Sequence, residues 1–203
     1  MVKIKIIRHS ERLDFSHPFY WLFCFGQYWA DAPLTNNGYK SAYKKGKEMV
    51  EKNFHPKYIY TSPYTRTMAT ATEIKKSFPQ AEIIIEPLLS EYQPFYKHSI
   101  TLYPDGIPTI YEEKGSFFCF PESGNQFSKR VQFIMEKIIE KNDSDLIIVT
   151  HGAILKQYII FLQKKYPDLL INIENNKIPY LTIISFEYDI ITKKIIENTI
   201  KIE

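Results

Sequence analysis

The feature that most limits how this chain can fold is a short apolar run, Leu146 to Thr150, that breaks abruptly into His151-Gly152. An apolar run without polar alternation predicts a strand covered on both faces, as in a parallel sheet. Two other runs end in the same way. Lys3 to Ile7 stops at Arg8-His9-Ser10, and Tyr58 to Thr61 runs into Ser62-Pro63. Glu82 to Glu86, closed by Pro87, reads as a further strand.

Helical stretches separate these runs. Asn36 to Asn53 offers Ala42, Met49 and Val50 to a core face, with Thr35 as N-cap. Pro63 suits a first helical turn and Pro79 biases Phe78 away from helical angles, so a helix is predicted from there to about Ser77. Ser123 and Gln126 stand at capping-box spacing, which predicts a helix from near Gly124 to about Lys141. Another follows His151-Gly152 to about Lys164. Leu181 to Tyr188 and Lys194 to Ile202 read as closing strands around a turn at 189–192.

This alternation argues an α/β chain: three layers, α/β/α, around a mostly parallel central sheet. Residues 1–203 are read as one domain. Leu88 to Pro121 shows little periodicity and is long for a connection in a compact domain, which points to a functional loop or cap.

Composition removes several classes of function. The chain has 26 Lys+Arg against 23 Asp+Glu, a net charge of +3, too balanced for nucleic acid to be the main partner. Cys24 and Cys119 stand in no metal-ligand spacing and are expected to be free thiols. Met1 to Arg8 has no continuous apolar stretch of the kind a signal peptide needs. No run reaches the roughly 18–20 apolar residues of a spanning helix. A cytoplasmic protein with no membrane partner is the expectation.

In open α/β sheets, ligands bind beyond the carboxyl ends of the strands. Arg8-His9, Ser62 to Arg66 and His151-Gly152 all fall at such ends, so three distant segments converge. Arginine forks match phosphate oxygens, and amides at helix starts add anion affinity. A histidine flanked by fixed cations is biased to neutral imidazole, its nucleophilic form. The set suits phosphoryl transfer to a histidine nitrogen. Arg66 would sit in the first turn of its helix, an unfavourable place for a cation unless an anion meets it there. His17, His55 and His98 fit no motif and read as surface or loop residues, and Arg130 reads as half of an ordinary salt bridge.

These residues carry a family resemblance. Ile6-Ile7-Arg8-His9-Ser10-Glu11-Arg12 resembles the signature of the histidine phosphatase superfamily, the phosphoglycerate-mutase-like fold. Five further segments match in order: Pro33 to Gly38, Thr61 to Ala71, Glu86 to Glu91, Pro121-Glu122-Ser123, and Val149 to Gly152. Arg12, Leu13-Asp14 and the aromatic insertion after Asp14 are similar to the branch of the suppressor-of-T-cell-signalling and ecdysteroid-phosphate phosphatases.

The resemblance implies a metal-independent phosphomonoesterase of histidine acid phosphatase type with no cofactor. His9 attacks phosphorus; Arg8, Arg66 and His151 bind the phosphoryl oxygens, joined by Arg12. Glu91 protonates the leaving oxygen and later activates water. Glu86 and Glu11 are weaker candidates for the acid, and Glu11 is expected to orient an arginine instead. The family has glycine where Ser10 stands. Serine is small and the charged groups remain, so activity is expected to survive, with the hydroxyl placed to bind phosphate.

The aromatic stretch of Phe15, Phe19, Tyr20, Trp21, Phe23, Phe25, Tyr28 and Trp29 is either a satellite core or a wall for a bulky leaving group. Tyr92, Phe95 and Tyr96 could supply the facing wall. The expected substrate is a bulky or aromatic phosphomonoester, either a small molecule or a phosphoprotein. Two rival readings are a phosphoglycerate-mutase-type phosphotransferase and a catalytically weak binding module. The family analogy also allows a homodimer.

Overall fold

A computed structural model describes residues 1–23, 31–92, 110–113, 116–119, 121–169 and 177–203. Its central sheet has six strands: β1 (Val2–Arg8), β2 (Tyr58–Thr61), β3 (Glu82–Ile85), β6 (Leu146–Thr150), β7 (Ile183–Asp189) and β8 (Lys194–Ile202). They are ordered β3-β2-β6-β1-β7-β8. The first four strands of that order run parallel. β7 is antiparallel to β1, and β8 to β7. The expected mostly parallel α/β architecture is therefore present.

Successive strand residues feed two separate cores, as a pleat of period two requires. Ile4, Ile6, Leu146 and Ile148 pack with Val131, Ile134, Met135 and Ile138 of α5 (Gly124–Lys141) and with Leu155 and Ile159 of α6 (Gly152–Lys165). Ile7, Ile147 and Val149 face the other way. They meet Met49 of α3 (Asn36–Glu51), Ala71 and Ile74 of α4 (Thr65–Lys75), and Phe54 and Phe78. β6 is covered on both sides, which is why its sequence shows no polar alternation.

The boundaries depart from the sequence reading for local reasons. α3 stops at Glu51, not Asn53, because Asn53 takes a left-handed φ of 54°. The Phe54 amide then donates to the Met49 carbonyl and the Asn53 amide to that of Val50, the paired bonds of a Schellman end. Val50, expected on the core face, is exposed, while Ala42 and Met49 are buried as expected. α4 begins at Thr65, with Tyr64 as N-cap, two residues beyond Pro63. The capping box of Ser123 and Gln126 is present at the start of α5.

Two short helices not expected from sequence, α1 (Leu13–Ser16) and α2 (Pro18–Phe23), follow β1. The segment from Leu88 to Pro121, expected to be a functional loop or cap, takes in most of a 3-10 turn, Pro87–Leu89, and an antiparallel pair of β4 (Ile110–Glu113) with β5 (Ser116–Cys119). Strands of four residues are too short to register a period. Cys24, and with it the expectation about the two thiols, lies outside the described residues, as do His98, Phe25, Tyr28, Trp29, Phe95 and Tyr96. Among the described residues, no helix is long and apolar enough to cross a membrane.

α3 and α4 approach closely at Gly46. A Cβ there would lie 2.9 Å from both the Ile74 carbonyl oxygen and the Ser77 hydroxyl. Gly46→Val should therefore lower the urea unfolding midpoint by the equivalent of about 1–3 kcal/mol. Gly124→Ala, where a Cβ meets nothing within 4 Å among the described residues, is the control and should leave the midpoint within about 0.5 kcal/mol. Equal effects of the two substitutions would contradict this packing.

Candidate active site

The register of β1 on β6 sets Arg8 opposite Thr150, so His9 and His151 leave adjacent parallel strands side by side. The His9 amide donates to the Thr150 carbonyl at 2.8 Å. The two rings are 5.5 Å apart between centroids and inclined at 65°. Both side chains are buried.

His9 Nδ1 lies 2.8 Å from the Ser10 carbonyl oxygen. A carbonyl can only accept, so Nδ1 carries the proton and Nε2 keeps its lone pair. Burial, together with the charges of Arg66, Arg8 and Arg12, holds the His9 pKa well below the ordinary 6.5. The ring is neutral at neutral pH.

His151 is neutral for similar reasons, burial first and then the Arg66 charge. Its Nδ1 is 3.2 Å from Arg66 Nη2, and its Nε2 is 2.8 Å from the Ser62 hydroxyl. Because a guanidinium only donates, Nδ1 is the acceptor and Nε2 carries the hydrogen. Tyr64 stands edge-on to this ring at 4.8 Å.

Arg66 occupies the first turn of α4 with 1% of its surface exposed. The anion that meets it is Asp31, 3.2 Å from Nη1. Asp31 also accepts from the Thr65 amide and hydroxyl, capping α4 from another part of the chain. Burial pushes the Asp31 carboxyl up, with the Thr65 donors and Arg66 pulling the other way. The Arg66 Nε is buried and has no hydrogen-bond partner among the described residues.

The Nε of Arg8 is in the same condition. Its guanidinium is otherwise fixed by a bond from Nη1 to the Ile178 carbonyl and by the Tyr180 ring at 4.3 Å. Gly152 makes room for it, since a Cβ there would lie 3.2 Å from that Nε. Arg12 is placed less centrally. It forms a two-pronged pair with Asp14, at 3.0 and 2.5 Å, over the Phe15 ring. It acts on His9 and Arg66 through its charge.

Glu91 stands at the rim, its side chain 28% exposed. Its Oε2 is 3.4 Å from His151 Nδ1 and 3.8 Å from Arg66 Nη2. The other two carboxylates are engaged elsewhere. Glu86 accepts from the Leu88 amide and faces Lys137 at 3.6 Å. Glu11 accepts the Thr35 hydroxyl, so the expectation that it orients an arginine is replaced by a tie to the N-cap of α3.

Ser10 also departs from expectation. Its hydroxyl donates to the Gly38 carbonyl at 2.8 Å and its amide to Thr70 Oγ1 at 3.0 Å. With its proton committed to Gly38, the hydroxyl is not a donor toward a bound phosphate. The described non-glycine residues at positive φ are Asn53, Leu181 and Lys193, so Ser10 needs no glycine-like angle. His17 and His55 are exposed, as expected.

Two buried guanidinium nitrogens without hydrogen-bond partners among the described residues, beside two neutral imidazoles, suit a tetrahedral oxyanion. The family model of the histidine phosphatase superfamily (branch 1) matches residues 6–196. The chain belongs to that superfamily.

Members of this histidine phosphatase superfamily are phosphatases and mutases. The chain is 58% identical over 203 residues to a phosphoglycerate mutase family protein of Acanthamoeba polyphaga mimivirus, covering 100% of this chain and 98% of that one. It is 25% identical over 193 residues to an ecdysteroid-phosphate phosphatase of Drosophila melanogaster, covering 75% of this chain. The match spans 26% of that relative's length. Among solved structures, the fold matches the ecdysone phosphate phosphatase of Bombyx mori in complex with tungstate, with TM-score 0.67, 20% identity, and coverage of 97% of this chain and 92% of that one. It also matches the phosphoglycerate mutase of Bacillus anthracis, with TM-score 0.60, 18% identity, and coverage of 100% and 91%.

Sequence reasoning missed Asp31 and Tyr180 as parts of the site, and it gave Ser62 and Tyr64, inside the converging segment Ser62 to Arg66, no contact of their own. Asp31 had an indirect signal, the cation of Arg66 at a helix start with no anion nearby in sequence. Tyr180 had none, because it reaches Arg8 and His9 from the connection before β7.

Both depressed histidines give a pH signature. The unfolded chain binds more protons than the folded one below about 6.5, so stability falls as pH drops through that value. Urea midpoints should decline from about pH 6.5 to about pH 5, and His151→Gln should flatten part of that slope. A wild-type midpoint independent of pH in that window would contradict neutral buried rings.

Proposed function

We propose that this histidine phosphatase superfamily member hydrolyses phosphomonoesters through a phosphohistidine intermediate on His9. The observation that carries the reading is the bond from His9 Nδ1–H to the Ser10 carbonyl. It leaves the Nε2 lone pair available beside Arg8, Arg66 and His151.

In the first step, Nε2 attacks phosphorus and the bond to the ester oxygen breaks. Arg8 and Arg66 hold the phosphoryl oxygens, with the Arg12 charge behind them, and His151 joins them by passing its Nε2–H from Ser62 to a phosphoryl oxygen when substrate binds. Glu91, in its protonated form, gives its proton to the leaving oxygen and the alcohol departs. In the second step, the Glu91 carboxylate takes a proton from water as its oxygen attacks phosphorus, and the P–N bond breaks. An ester and a water become an alcohol and inorganic phosphate, and both His9 and Glu91 return to their starting forms.

We infer a bulky or aromatic substrate, a small molecule or a phosphoprotein. Phe15, Phe19 and Tyr20 are exposed on α1 and α2, and Phe15 lies under Arg12 at 4.5 Å. Tyr92 does not join a facing wall; it packs on Phe127 at 4.9 Å, against the core. The names of the insect relatives, phosphatases of ecdysone or ecdysteroid phosphates, point to the same substrate class. A mutase would need further cations for a substrate carboxylate, and Arg12 is already paired with Asp14.

Turnover of p-nitrophenyl phosphate should fall by at least about 10³-fold in His9→Ala. Rapid acid-free quenching of the wild type with labelled substrate should capture a phosphoenzyme that the variant lacks. Residual turnover equal in the two proteins would remove the enzyme reading. EDTA should leave the wild-type rate unchanged, because arginines supply the positive charge; strict dependence on an added divalent ion would contradict the mechanism.

A further inference from the structure

Arg130 lies on α5 and is fully buried, with no direct contact to His9 or to the phosphoryl-binding set among the bonds described above. Burying a guanidinium is costly unless it is paired and hydrogen-bonded. The pair is with Glu122: Nε to Oε2 at 2.8 Å and Nη2 to Oε1 at 2.5 Å. The rest of the fork points at the segment that ends in Glu91. Nη1 donates to the carbonyls of Leu88 at 2.5 Å and Ser90 at 2.9 Å, and Nη2 to that of Glu91 at 3.4 Å.

The carbonyl that this fork omits, Leu89, accepts from the Thr150 hydroxyl at 2.8 Å. Thr150 directly precedes His151. All four carbonyls from Leu88 to Glu91 are thus held, three by one charge on α5 and one by the strand end that carries a site histidine. The Glu86 carboxylate takes the Leu88 amide, and the Ser90 hydroxyl donates to the Pro87 carbonyl. A turn on the surface could leave such carbonyls to water. Here a charged, bidentate group anchors the backbone that sets how far the Glu91 side chain reaches toward His151 and Arg66.

We propose that Arg130, aligned by Glu122, is a positioning residue that sets the reach of Glu91 toward the leaving oxygen. The proposal rests on Glu91 as the general acid of the reaction above. A purely structural arginine and a positioning one differ in what their loss does to different leaving groups. p-Nitrophenolate departs without a proton, whereas phenolate, a stronger base, needs one. Misplacing the acid therefore slows phenyl phosphate much more than p-nitrophenyl phosphate. The quantity to compare is kcat/KM, which covers steps up to and including transfer to His9.

The experiment measures kcat/KM for both esters in wild type, Arg130→Lys, Glu122→Gln and Glu91→Gln. Arg130→Lys keeps the charge and loses the fork. Its phenyl phosphate value should fall about 10²-fold, as for a displaced catalytic group, and its p-nitrophenyl phosphate value by less than about 3-fold. Glu122→Gln should shift the ratio in the same direction by a smaller factor, and it carries the test if Arg130→Lys does not fold. In the double variant with Glu91→Gln, Arg130→Lys should add nothing to the ratio. If Glu91→Gln discriminates between the esters while both Arg130→Lys and Glu122→Gln slow them equally or not at all, the positioning role is overturned and the acid stands. If Glu91→Gln itself does not discriminate, the acid assignment fails and the positioning role falls with it.

Discussion

The positive charge of Arg66, almost wholly removed from water at the start of a helix, is the constraint around which this site is arranged. Desolvation and the helix end both oppose it, so it must be met by an anion. Asp31 supplies that anion and caps the same helix through Thr65. The opposite side of the fork faces His151, whose Nδ1 it holds as an acceptor. The same charge, acting with burial, keeps both imidazoles from protonating. One ion therefore links the start of α4, the His151 tautomer and, second to burial, the protonation state of both rings.

Around that charge the site has two kinds of wall. The floor is rigid: His9 and His151 leave neighbouring parallel strands whose register leaves no freedom in their spacing. The rim is the segment from Glu86 to Glu91, a single 3-10 turn and its flanks, held by cross-links to α5 and β6. The groups proposed to receive phosphorus and its oxygens stand at strand ends and a helix start. The group assigned to proton transfer stands on a tethered turn, where its reach can be set separately.

Most of the architecture was legible in the chain itself. Apolar runs of strand length, each broken by a polar cluster, are enough to place Arg8-His9, Ser62 to Arg66 and His151-Gly152 at one edge of a sheet. Residues whose roles depend on partners far away were not legible. Arg130 read as an ordinary salt bridge, since nothing local shows that its fork spans to residues 88–91. Ser10 read as a phosphate contact, since nothing local shows that the Gly38 carbonyl lies 2.8 Å from its hydroxyl. Val50 read as core because helical spacing gives the face but not how far the neighbouring layer extends.

The amino-acid sequence by itself determined the alternation of strands and helices, the two-sided burial of β6 and the chemical types brought to the strand ends. These follow from local preferences and from periodicity, which act over a few residues. Tertiary structure alone decided that Asp31 neutralises Arg66, that His9 carries its proton on Nδ1, and that Arg8 and Arg66 keep a buried Nε without a partner among the described residues. Each of these depends on a distance across the fold, or on the loss of water around a charge, and neither quantity is a property of any short stretch of chain.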